Sequence, residues 1–209
     1  MPNEDGMPTS DAPWSGDACS LVDAFRAGER SPVEELDATL AAIEASDLNA
    51  FAHVDPERAR AAAEAADVSR PFGGVPTAIK ELDPVEGWPW TEASLVYKDR
   101  IGTFTSHQTQ RLFERGGVVP VGKTTASEFG GLNVSTTKIN GVTHNPWRHG
   151  KTVGGSSGGS AAAVSGGLVT LATGGWKGRT GARRRRRRSS GPRPARSATG
   201  CRARPCSGA

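Results

Sequence analysis

The 34 residues that follow Gly175 include 11 arginines and no leucine, isoleucine, valine or phenylalanine. Any hydrophobic core this chain builds must therefore come from its first 175 residues. Charge divides at the same point. Residues 1–175 carry 14 basic and 22 acidic side chains, a net −8, while residues 176–209 carry 12 basic and no acidic ones, which gives the whole chain its +4. Arg, Gly, Ala, Pro and Ser make up 28 of the last 34 residues, and all five are encoded by codon families rich in G and C. We expect residues 176–209 to be a disordered low-complexity tail, read out of frame from a gene whose proper frame continues the domain.

A chain of 209 residues is long enough to bury one full-sized core or two small ones. No apolar run approaches the length of a membrane-spanning helix, so no membrane association is expected. The polar, acidic start of the chain has neither the basic flank nor the apolar stretch of a secretory signal, which points to the cytoplasm. Residues 1–17 are expected to be disordered. Cys19 is the only cysteine before the arginine-rich segment, and Cys201 and Cys206 lie at its end, which gives neither metal-ligand spacing nor a disulfide framework.

Periodicity places the elements. Leu21, Val22, Ala24 and Phe25 have helical spacing over residues 18–27, with Gly28 as C-cap. Ser31, Pro32 and Glu34 form a capping box that leads into Leu36, Leu40 and Ile43 on one face. Residues 50–54 read as a short strand, and Asp55-Pro56 opens an alanine-rich helix. Residues 75–82 read as a strand that leaves through Asp83-Pro84. Residues 106–115 are amphipathic, and residues 118–122 follow as a buried strand. Helix alternating with strand is an α/β pattern. Thr125 with Glu128 suggests another capping box, and glycine- and asparagine-rich loop sequence runs from there to His149.

Three features bear on chemistry. Residues 117–124 read Gly-Val-Val-Pro-Val-Gly-Lys-Thr and satisfy the phosphate-binding pattern of nucleotide hydrolases. Their context argues against that role. Such a cradle turns backbone N–H groups inward, whereas this run holds three strand-forming valines and a proline with no N–H to give. It reads instead as a core strand ending in an exposed Lys123-Thr124 turn. Lys80 closes the apolar stretch Val75-Pro76-Thr77-Ala78-Ile79, where partial desolvation would lower its pKa and let it act as a base. The third feature is the run Gly154-Gly155-Ser156-Ser157-Gly158-Gly159-Ser160, which opens into Ala161-Ala162-Ala163-Val164. Glycines let this backbone turn sharply and approach a substrate, and the serines supply hydroxyls for nucleophilic or relay work.

Together these segments resemble the amidase signature family of hydrolases. The resemblance runs from about Leu21 to Gly174 and is most specific in GGSSGGSAAAVSGGLVTLATG, residues 154–174. It is supported by GGVPTAIK at 73–80, VGKTTASEF at 121–129 and THNPW at 143–147. It implies a three-layer α/β/α fold around one mixed sheet, present here only in its N-terminal part, residues 18–175. It also implies amide hydrolysis through a Ser-Ser-Lys triad and an acyl-enzyme, with a small-molecule amide as substrate and no metal or organic cofactor. By resemblance Lys80 is the base and Ser156 the bridging serine, set on a cis peptide. Gly154, Gly155 and Ser157 support that turn, and the helix N-terminus near Gly159 favours nearby negative charge.

The chain departs from the family at the nucleophile. Family members carry it in a second Gly-Gly-Ser turn, and the matching spacing lands on Thr180, within Gly175-Trp176-Lys177-Gly178-Arg179-Thr180-Gly181. Members are also more than twice as long as the matching portion. An inactive chain with open sheet edges and a tendency to aggregate is therefore expected. A homodimer remains open for an intact version. Two alternatives stand beside the stand-alone amidase. One is the A subunit of a glutamyl-tRNA amidotransferase, against which residues 83–105 depart from that subunit's usual pattern. The other is a nucleic-acid binder using Arg183 to Arg188, which lacks an aromatic platform apart from Trp176. Resequencing the locus through codon 175 should reveal a frame that restores an apolar continuation. An intact frame that still encodes the arginine run contradicts the out-of-frame reading.

Overall fold

Local capping fixes the first two helices. In the computed structural model, which describes residues 11–175, helix α1 (Ala18–Ala27) starts at Asp17, whose side chain accepts from the Ser20 amide. It ends at Gly28, whose φ of 73° is the left-handed conformation that glycine adopts without steric cost. Helix α2 (Pro32–Ala45) begins with the expected capping box: Ser31 accepts from the Glu34 amide, and Glu34 accepts from that of Ser31. Strand β1 (Phe51–Val54) follows, then helix α3 (Pro56–Glu64), capped by Asp55. Part of the polar N-terminus is held in place. Trp14 packs beside Leu21, Val22 and Phe25, and its backbone N–H donates to Glu35 Oε1 at 2.9 Å. Arg30 pairs with Glu35 at 2.7 Å and donates to the Ala12 carbonyl. Burial raises the Glu35 carboxyl above its usual range, against the pull of the Trp14 amide and Arg30.

Strand β2 (Pro76–Lys80) and strand β3 (Val119–Thr124) are buried along their whole length, as expected of parallel strands covered on both faces. Between them lie a short helix α4 (His107–Arg111) and a wider turn, Leu112–Gly116. After β3 the expected long loop is in fact two small hairpins. Strand β4 (Thr136–Thr137) pairs with β5 (Gly141–Val142), and β6 (His144–Asn145) pairs with β7 (Arg148–Thr152). These strands are too short for hydrophobic alternation to show in the sequence. The expected capping box at Thr125 and Glu128 is also absent. Thr125 is buried, with its hydroxyl 2.6 Å from that of Thr143, and Ser127 precedes a short 3₁₀ turn, Glu128–Gly130.

Helix α5 (Gly158–Ser165) and strand β8 (Leu171–Ala172) complete the fold. The central sheet runs β1-β3-β2-β8, with β1 antiparallel to β3 and β2 parallel to both its neighbours. This is the expected mixed sheet between helices. Leu36 of α2 and Ala59 and Ala63 of α3 pack with Val119 and Val121 of β3, while Ala162 and Ala163 of α5 pack with Ala78 of β2. Among the described residues no helix is long and apolar enough to cross a membrane.

One expectation at the end of β3 is overturned. Lys123 and Thr124 are not an exposed turn: Lys123 is 1 % exposed and Thr124 is fully buried. The Lys123 ammonium donates to the Asp83 carbonyl at 2.8 Å and the Pro89 carbonyl at 3.1 Å, tying the segment after β2 to β3. The sequence hides this because a lysine can be buried where main-chain oxygens receive its protons. Burial pushes Lys123 down to about 8 from an ordinary 10.5, against the attraction of Glu81, Asp83 and Glu92.

The unfolded chain thus holds more protons than the folded one between pH 8 and 10.5. Stability should rise with pH across that window, with the burial penalty fully present below it, by at most ~3 kcal/mol. Urea unfolding of the full chain and of Lys123→Met at pH 7.5, 9 and 10.5 checks this, and an unchanged pH slope in the variant contradicts it.

Candidate active site

Lys80 ends β2, and side chains alternate faces along a strand, so it returns to the side on which Ala78 meets α5. The side chain is 3 % exposed. Its Nζ donates to Ser156 Oγ at 2.8 Å and to the Gly175 carbonyl at 2.9 Å. The backbone position is fixed as well, because the Lys80 N–H donates to Thr173 Oγ1 at 2.7 Å, just beyond β8. Two residues far apart in sequence are thus joined by one buried hydrogen bond between an amine and a hydroxyl.

Ser156 sits in the turn that leads into α5, and the Gly155–Ser156 peptide is cis. The glycines around it have distinct physical roles. Gly154 has φ 88°, which a side-chain-bearing residue rarely adopts. At Gly155 any Cβ would lie 2.9 Å from the Val134 nitrogen, so the neighbouring loop leaves no room for one. The Ser156 carbonyl accepts from the Ser127 amide at 3.2 Å. Ser157 turns its hydroxyl towards Gly175, 3.2 Å from both the carbonyl oxygen and the amide nitrogen.

A second ring of hydroxyls supports this pair. Ser160 Oγ donates to the Thr173 carbonyl at 2.7 Å and lies 2.7 Å from Thr124 Oγ1. Thr124 is the register partner of Lys80 across β3 and β2, so the network links both strands, α5 and the segment after β8. Nothing in the sequence marks Ser160, Thr173 or Thr124 as members of a network, although all three lie inside segments that carry the resemblance. Serine and threonine are common enough that only the pairing reveals them. The expected anion preference at the α5 N-terminus is not supported. The Gly158 amide donates to Ser135 Oγ and the Gly159 amide to the Thr125 carbonyl, so both donors are already used. Thr180 and Arg183 to Arg188 lie outside the described residues.

The chain is similar to known proteins over most of its described length. The family model described as Amidase matches residues 34–175. The chain is 40 % identical over 166 residues to the A subunit of glutamyl-tRNA(Gln) amidotransferase from Rhodopirellula baltica, a match covering 75 % of this chain and 33 % of that protein. The corresponding Streptomyces coelicolor protein is 37 % identical, again over 75 % of this chain and 33 % of that one. Among solved structures, 6-aminohexanoate cyclic dimer hydrolase superimposes with a TM-score of 0.70 at 33 % identity, covering 75 % of this chain and 33 % of that one. Peptide amidase from Stenotrophomonas maltophilia does so with a TM-score of 0.69 at 26 % identity, over 76 % of this chain and 35 % of that one. The chain therefore spans about a third of the length of the curated relatives it matches.

The position of Lys80 depends on Thr173, which can be tested without touching either member of the amine–hydroxyl pair. Thr173→Val keeps the shape and leaves the Lys80 N–H unsatisfied in a buried site. It should destabilise the fold by ~1–3 kcal/mol, measured by urea unfolding. A change within about 0.5 kcal/mol of zero, the usual range for a surface substitution, means that Thr173 does not hold this strand end.

Proposed function

The chain belongs to the amidase family, and on that premise we propose that residues 18–175 form the N-terminal part of a domain that hydrolyses a carbon–nitrogen amide bond through a Ser-Ser-Lys triad. The observation that carries this reading is the buried 2.8 Å contact between Lys80 Nζ and Ser156 Oγ. With its nitrogen unprotonated, Lys80 takes the Ser156 hydroxyl proton. Ser156 in turn takes the proton of a nucleophilic serine as that serine attacks the amide carbonyl. The proton then returns along the same path to the leaving amine, and water resolves the acyl-enzyme. Thr173, Ser160 and Thr124 position the pair, and the Gly175 carbonyl receives a further Lys80 proton.

The third member of the triad has no counterpart in these 209 residues at the expected spacing, where the sequence reads Arg179-Thr180-Gly181 rather than Gly-Gly-Ser. We therefore propose that this chain does not turn over and that a frame-restored version does, acting on a small-molecule amide in the cytoplasm.

A second reading is favoured by the named relatives, which are A subunits of glutamyl-tRNA(Gln) amidotransferases at 37–41 % identity among the first five. On that reading the intact protein works as the amide-hydrolysing component of an amidotransferase. Nucleic-acid retention that vanishes when residues 176–209 are deleted favours the arginine run as a binding element instead.

Assays of the present chain and the frame-restored protein on simple amides, and on glutamine with and without the partner proteins of an amidotransferase, separate these readings. The frame-restored protein should be active, and Lys80→Ala and Ser156→Ala should each lower kcat/KM by ~10²–10⁴-fold. Full activity in Lys80→Ala contradicts the triad. Activity of the present chain that disappears in Lys80→Ala contradicts the inactivity.

A further inference from the structure

Register brings three titratable side chains to one face of the central sheet. His53 of β1 is the partner of Lys123 in β3, so their side chains leave on the same side. The Glu81 N–H donates to the Thr124 carbonyl at 3.0 Å, which carries the ladder one residue past Lys80 and turns Glu81 away from that lysine, towards Lys123. With Thr91, Lys98 and Asn140 these residues line a cavity of about 260 Å³. That far exceeds the ~10–15 Å³ needed by one water and suits a small organic molecule. The inner wall is built from buried polar groups, Lys123, Glu81 and Thr91, while Lys98 is exposed and stands at the open side.

The acids around this cavity are engaged, whereas its donors are not all used. Glu81 accepts from Thr91 Oγ1 at 2.6 Å through one oxygen and from Asn140 Nδ2 at 2.8 Å through the other. Glu92, which also attracts Lys123, pairs with Arg100 at 3.7 Å. Asp55, which attracts His53, accepts from the Trp88 indole at 2.7 Å. Lys123 places two ammonium protons on the Asp83 and Pro89 carbonyls, and an ammonium has a third to give. The Nε2 atom of His53 is buried without a hydrogen-bond partner among the described residues, and in its Nε2–H tautomer it needs an acceptor. Unmet buried donors are costly, and an acceptor that enters the cavity relieves them.

We propose that this cavity is a binding site for a small alkyl monocarboxylate such as acetate or propionate, with its oxygens held by Lys123 and His53 and its alkyl group against Ile139. The lining carries two ammonium groups, Lys98 and Lys123, and one carboxylate, Glu81, so a single further negative charge balances it. Hydrogen bonds from a buried ammonium to a carboxylate are charge-assisted and shielded from water, which favours a carboxylate over a neutral acceptor. Lys123 and Lys80 leave the sheet on opposite faces, so the carboxylate lies across the sheet from Ser156. The proposal therefore stands or falls independently of the amide-site reading.

The test is an NMR titration of the full chain with sodium acetate, and with sodium chloride at equal ionic strength, reading the His53 ring and the Asn140 side-chain amide. Acetate should shift both saturably, with a Kd on the order of 1–10 mM, and chloride should leave them in place. Lys123→Met should weaken acetate binding ~10-fold or more, and Lys98→Met ~2- to 3-fold because that charge is screened by solvent. Lys98 is exposed, so its replacement decides the matter should Lys123→Met fail to fold. Equal shifts with chloride show a general ionic response and overturn the site. An absence of any acetate response assigns the cavity to water and overturns it as well, as does an affinity unchanged in the lysine variants. Shifts with methylammonium chloride but not with acetate show a cation site, and acetate shifts confined to the Ser156 and Gly175 amides put the carboxylate beside Lys80; either result overturns the proposal.

Discussion

An amine buried at the end of a parallel strand needs oxygen acceptors close by, and meeting that need organises the second half of this fold. Lys80 finds two acceptors in Ser156 and Gly175, both brought in by the chain that wraps α5. Supplying them requires α5 to lie close on the sheet. A Cβ at Gly159 would overlap the Thr125 amide nitrogen and come within 2.6 Å of the Ala50 carbonyl oxygen. The glycines before and within the first turn of α5 therefore serve packing and geometry together. The hydroxyls of Thr124, Ser160 and Thr173 connect the surrounding elements into one satisfied network, the condition under which buried polar groups are tolerated.

The two buried lysines of adjacent strands illustrate how register distributes roles. Lys80 is paired with Thr124, and Ile79 with Lys123. Paired residues point to the same side and successive ones to opposite sides, so the two amines leave the sheet on opposite faces. On one face Lys80 meets a serine hydroxyl. On the other, Lys123 donates to the main-chain carbonyls of Asp83 and Pro89 and serves as a staple for residues 83–89. The same side chain in the same kind of environment becomes a candidate base or a structural tie according to what the opposite face supplies.

Much of the architecture is legible in the sequence because it rests on local chemistry. The capping box at Ser31, the Gly28 terminator, the Asp55 cap and the two buried strands all follow from residues within a few positions of one another. The hairpins between Thr136 and Thr152 are not legible, because strands of two to five residues with mostly exposed side chains leave no periodic trace. Thr125 has the local look of a cap, but its true partner, Thr143, is 18 residues away. Trp14 lies in a polar N-terminal stretch, yet its ring and backbone are anchored by contacts to residues 21–35 that composition does not register.

The sequence by itself determined the kind of protein this is. Spacing of glycine, serine and lysine in ordered segments is set by the backbone turns and functional groups a chemistry requires, and those requirements survive in the chain as a readable pattern. Its composition also sets the expectation that residues 176–209, which hold no leucine, isoleucine, valine or phenylalanine, add nothing to the core. Only the tertiary structure decided that Lys80 and Ser156, 76 positions apart, share a hydrogen bond, and that Lys123 faces the other way. Those outcomes depend on strand register, on helix-to-sheet distance and on which main-chain oxygens remain free to accept, and none of these is a property of a residue or of its neighbours in sequence.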